Sequence, residues 1–146
     1  MSTHRARRKK PTAHVDDVLH GYITAALWST NDESDESGGE PLDKNYGPSD
    51  VDPATVRKMR ADIVKFLREN KKAVNAYTTH RQHSREHGNV WEYLGHDLWL
   101  SRNGHGTGFW DRNYDGEDWI GEQLDKAAHK LGESYLYVGD DGRIYA

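Results

Sequence analysis

Apolar residues recur at positions 15, 18, 19, 22, 23, 26 and 27, the spacing of one helical face. The run His14–Trp28 is therefore predicted to be a helix, with Gly21 as its weak point. Residues 29–52 lose that rhythm. Ser, Asp, Glu, Gly and Pro dominate there, and Leu42 and Tyr46 are the positions able to pin so long a loop to a core. Asp52-Pro53 then reads as a helix start, Asp as the cap and Pro at the first helical position. From there Val56, Met59, Ile63, Phe66, Leu67 and Val74 carry one long helix to about Tyr77. Residues 80–89 are polar and irregular, and Val90–Leu94 predicts a short helix.

The segment 95–112 reads Gly-His-Asp-Leu-Trp-Leu-Ser-Arg-Asn-Gly-His-Gly-Thr-Gly-Phe-Trp-Asp-Arg. Leu98 and Leu100 alternate with Trp99 and Ser101, and a loop with glycine at 104, 106 and 108 leads into Phe109-Trp110. Alternation with glycines between two apolar runs predicts a β-hairpin; its aromatics are expected mainly in the core, and Trp99 and Trp110 form a partly exposed pair only in the case that they share one sheet face. Asp115 is positioned to cap a helix over residues 116–131, striped by Ile120, Leu124, Ala127, Ala128 and Leu131 and ended by Gly132. Strands at 135–138 and 143–145 flank Gly-Asp-Asp-Gly, where Asp141-Gly142 fits a tight turn. The expected architecture is α+β: three main helices packed on a small antiparallel sheet built from two β-hairpins. Residues 1–13 form a disordered basic tail in this reading. Residues 14–146 form a single α+β domain that includes a long acidic loop at about 29–52.

Composition fills in the setting. Hydrophobic content is 34% and mean hydropathy is -1.02, so part of the chain is not expected to pack. The chain lacks cysteine, which excludes disulfides and thiolate chemistry. No apolar run nears the roughly 20 residues of a membrane span, and the basic start lacks the apolar stretch of a signal peptide. A cytoplasmic protein without a membrane partner is expected. The net charge of -4 hides a division: Arg5, Arg7, Arg8, Lys9 and Lys10 leave a remainder of -9. So acidic a body is a poor general ligand for nucleic acid, whereas the tail is able to touch it.

The candidate chemistry centres on 95–112. Phosphate loops lead from a strand into a helix whose N-terminus faces the phosphate, but here an aromatic strand is expected to follow the glycines. His80, His83 and His87 are spaced by three and four, yet Arg81 and Arg85 repel a cation and no His-Glu-x-x-His run is present. No metal or cofactor is expected. His96, Asp97, Arg102, His105 and Asp111 hold the makings of a general base, but Ser101 and Thr107 lack any nucleophile motif. No catalytic residue is assigned. The candidates for interaction or ligand contact are His96, Asp97, Trp99, Arg102, Asn103, His105, Trp110, Asp111 and Arg112.

With Ala26-Leu-Trp-Ser29, Pro41-Leu-Asp43, Tyr46, the helix over 55–77 and Leu136-Tyr-Val-Gly-Asp-Asp-Gly142, this motif carries a resemblance. Over roughly residues 20–146 the chain resembles a family of small proteins encoded mainly by tailed bacteriophages and prophages. The resemblance implies a phage accessory protein acting in the bacterial cytoplasm and brings no established activity or catalytic residues. Together these readings point to a non-enzymatic protein that binds and modulates a host bacterial protein, in host takeover or anti-defence. The alternative is a small nucleotide- or nucleic-acid-binding protein, enzymatic or not, using the glycine and histidine hairpin.

Overall fold

The computed structural model describes residues 13–33, 39–81, 89–105 and 107–146. The tail at 1–12, His83, His87 and Gly106, on which parts of the sequence reading rest, lie outside them. Five helices make up the described part: α1 (Val15–Ser29), α2 (Pro53–Glu69), α3 (Lys71–Arg81), α4 (Val90–Arg102) and α5 (Trp119–Lys130). One antiparallel pair, β1 (Tyr137–Val138) and β2 (Ile144–Tyr145), and single 3₁₀ turns at Leu42–Lys44, Pro48–Asp50 and Phe109–Asp111, the last where a second hairpin strand was expected, complete the elements. The architecture is therefore mostly helical with one two-stranded sheet. The expected three main helices and two hairpins are corrected on both counts.

The first correction concerns 95–112. Residues 90–102 are one helix, and Tyr93 through Arg102 are all buried, so α4 is the central rod against which α1, α3 and α5 pack. A helix buried all round has no polar face, and its side chains then show no 3.6-residue period to distinguish it from a strand. Asn89 starts it with a capping box, its Oδ1 accepting from the N–H groups of Trp91 and Glu92 while Glu92 accepts from the Asn89 N–H. Gly104, at φ +65°, ends it. The His105 N–H reaches back to Leu100 O (3.1 Å) and the Gly104 N–H to Ser101 O (3.3 Å), a Schellman stop. The glycine that looked like hairpin loop is a helix terminator.

The second correction splits the long helix at Asn70. Its backbone leaves helical geometry, and its side-chain N–H₂ donates to Phe66 O at 2.9 Å. Gln123 of α5 donates to Asn70 Oδ1 at 3.3 Å, holding the bend against the next layer. The start of α2 is as expected: Asp52 Oδ2 accepts from Ala54 and Thr55, with Pro53 in the first turn. Asp115 does not cap α5. It adopts φ +54° in the preceding turn, and Asp118 occupies the cap position without a side-chain bond.

Two glycines set the spacing between α1 and α4. A Cβ on Gly21 would lie 1.8 Å from Glu92 O, and one on Gly95 would lie 1.9 Å from Val18 O. Only bare Cα atoms allow backbones so close. The described part of the long loop is tied in at both ends. Asn31 bridges Pro41, Leu42 is buried as expected, and the Asp52 N–H donates to Ile144 O (2.8 Å) at the C-terminal hairpin. That hairpin matches the expected turn: Tyr137 pairs with Tyr145, Val138 with Ile144, and Gly142 takes φ +78°.

Candidate functional site

Most of the 95–112 side chains turn inward. His96 is 3% exposed and accepts at Nε2 from the Trp28 indole N–H at 2.9 Å. Asp97 is fully buried between Arg112, whose Nη2 donates to Oδ1 at 2.7 Å, and Tyr77, whose hydroxyl donates to Oδ2 at 2.7 Å. Trp99 is buried and donates to Ser29 Oγ at 3.0 Å. Arg102 is buried and donates to Leu131 O, Gly132 O, the Tyr22 hydroxyl and Asp62 Oδ2, at 2.7 to 3.1 Å. These charged groups are paired within the core, as burial demands. Their chemistry is spent on holding α4 to its neighbours.

The remaining candidates divide. Asn103 is half-buried, donating to Trp99 O and accepting from the Ser134 N–H. His105, Trp110 and Asp111 are exposed, Trp110 at 57%. The structure does not bring His96, His105 and Asp111 into one pocket, nor does it pair Trp99 with Trp110 on one surface. Among the described residues no three His, Asp or Glu side chains are placed to hold a metal ion.

What 95–112 does contribute to is a cleft of about 500 Å³. Trp99, Asn103 and His105 form one wall, Ser29 and Thr30 at the end of α1 another. Asp32, Glu33 and Leu42 of the acidic loop and residues 134–138 close the rest. Tyr135 (66% exposed) and Tyr137 (58%) stand on its rim, and the ring of Tyr137 stacks on Tyr145 at 5.7 Å. The sequence reading placed both tyrosines in a strand without singling them out. Two aromatics of the same parity, at 135 and 137, in a sequence short of large apolar residues, are the signal that was present. Comparison with known proteins returns no matching family model, no matching curated protein and no matching solved structure.

The buried phenols give the core a pH signature. Burial pushes Tyr22 up to about 12, partly offset by the neighbouring Arg102. Burial, then the Asp97 charge, pushes Tyr77 far above the ordinary phenol range, and burial raises Tyr114 as well. For Arg112, burial opposes the charged form, but the hydrogen bond and charge of Asp97 more than restore it. A phenol with a raised folded pKa stabilises the fold fully below the free-phenol pKa of about 10, and that contribution is lost as pH rises through the folded value. Stability is therefore expected to fall between pH of about 10 and about 12. In an alkaline titration Tyr22, Tyr77 and Tyr114 should ionise only together with loss of near-UV circular dichroism. A single smooth ionisation of all tyrosines without unfolding would contradict this.

Proposed function

We propose that this protein is a phage-encoded accessory protein that acts by binding a host bacterial protein in the cytoplasm, and that the cleft bounded by α1, the acidic loop and residues 134–138 is the contact site. The observation that carries the reading is the pair of exposed tyrosines, Tyr135 and Tyr137, on the rim of a cleft with Asp32 and Glu33 in its wall. Tyrosine supplies large rigid contact area at little entropic cost, and exposed clusters of aromatics mark interaction surfaces more than they mark ordinary solvent faces. The two carboxylates select a partner segment carrying Lys or Arg, by complementarity of sign. His105, the exposed residue of the glycine loop that lines the cleft, adds a side chain able to donate or accept a hydrogen bond. The phage origin rests on the resemblance of the 95–112 motif and its companions.

The test is a reconstituted one. The full chain is used to capture protein from host lysate, the captured protein is purified, and its affinity is measured for the unmodified chain and for Tyr135→Ala/Tyr137→Ala. The double variant is expected to bind at least tenfold more weakly at unchanged thermal stability. Equal affinity, or no specific capture, would overturn the assignment.

A further inference from the structure

The acidity of the chain is not spread evenly over its surface. Between residues 53 and 72 there are seven basic residues (Arg57, Lys58, Arg60, Lys65, Arg68, Lys71 and Lys72) against Asp62 and Glu69. Asp62 is turned toward the core side of α2, where its carboxylate accepts from the buried Arg102 at 3.1 Å. Arg57, Arg60, Ala61, Val64, Lys65, Arg68 and Glu69 share one outward face, at helical spacings of three and four, around a shallow groove. Arg57 to Arg68 spans about 16 Å along the axis. Arg57, Lys65, Arg68 and Lys71 have no ion-pair partner among the described residues.

A second basic concentration, Arg5–Lys10, precedes α1 in the sequence. Arg60 Nη1 pairs with Asp16 Oδ1 at 2.7 Å, which fixes the first turn of α1 beside α2. Outside these two stretches the chain has eight basic and twenty-two acidic residues.

We propose that the outer face of α2 binds the phosphate backbone of duplex DNA. A straight row of cations of one sign neutralises phosphates and releases their counterions without reading sequence. The groove has no aromatic side chain, so it lacks the stacking platform that single strands require and the anchor that a protein hot spot requires. Binding here is distinct from the cleft of the preceding section and does not depend on it.

Fluorescence anisotropy with a short duplex, measured across salt concentrations with the full chain, tests the proposal. Three exposed residues are neutralised together, Arg57→Gln, Lys65→Gln and Arg68→Gln, with the melting temperature as a folding control. Affinity at low salt is expected to fall at least tenfold. The slope of log K against log salt should shrink by about 2 to 3, near 0.9 per phosphate contact removed. Absence of duplex binding at low salt, or a triple variant that binds like the unmodified chain, would overturn it. So would tighter binding to single strands or to polyglutamate. A concentration-dependent dimer abolished by the triple variant, seen by sedimentation without DNA, would assign the face to a second copy of the chain. The Tyr135/Tyr137 variant should retain full DNA affinity, which separates failure of this proposal from failure of the cleft assignment.

Discussion

Replacing Gly95 by alanine is expected to cost roughly 3 kcal/mol or more, at the upper end of what overpacking does in a core. The sign is the informative part. In an isolated helix the same change would gain about 1 kcal/mol, because alanine is the better helix former. Here the new methyl would sit 1.9 Å from Val18 O and 2.8 Å from the Tyr22 nitrogen, and both are backbone atoms of α1. No rotamer change relieves such a contact, so the two helices must move apart, loosening Val18, Tyr22, Leu94 and Leu98 together. Gly21→Ala meets the Glu92 carbonyl in the same way. Once the helices have separated, the second methyl finds room already made, so the double variant should lose less than the sum of the singles. Urea unfolding with intrinsic tryptophan fluorescence measures all three. A Gly95→Ala protein as stable as its parent would remove the close crossing from the account.

The second large effect is expected at Arg102. Its guanidinium closes off the C-terminal end of α5 by donating to Leu131 O and Gly132 O, while Nη1 serves Tyr22 and Asp62 at 2.8 and 3.1 Å. Arg102→Ala deprives two carbonyls, a buried phenol and a carboxylate of one shared donor. Breaking a buried charged network from one side costs about 3 to 5 kcal/mol. Thermal unfolding of a domain this size should then shift down by roughly 10 to 20 °C. Arg102→Lys should recover little of it, since one ammonium does not reproduce a planar fork that reaches four acceptors. A loss below about 1 kcal/mol for the alanine variant would mean that water replaces the guanidinium, contrary to its 3% exposure.

These two residues also explain which parts of the fold were legible in the sequence. Elements whose cues are local came through: the Asp52-Pro53 start, the stripe of α5, the turn at Asp141-Gly142. Each depends on neighbours a few positions away. The centre of the molecule did not. In α4 the burial is continuous, so period carries no information, and Gly95 looked like a boundary when it is the point of closest approach between two helices. The charged residues at 96–102 looked available because such residues are rarely buried without partners. Their partners, Trp28, Tyr77, Arg112, Tyr22 and Asp62, lie 15 to 80 positions away in the chain. No short-range pattern encodes those pairings. The basic face of α2, by contrast, was readable as a window of charge and was obscured by averaging over the whole acidic chain.

Helix α1 has a consequence beyond packing. Asp16, in its first turn, holds Arg60 of the cationic face, while Ser29 and Thr30, at and just past its end, line the tyrosine-rimmed cleft. Its fifteen residues span about 22 Å. A ligand on one end therefore leaves the other open, and neither occupant needs to displace or deform the other. If both ends are filled at once, the chain acts as a rigid tether that raises the local concentration of one bound molecule around the other. Loosening the glycine crossing that clamps α1 to α4 would then weaken the linkage between the two occupants while leaving each contact surface chemically intact.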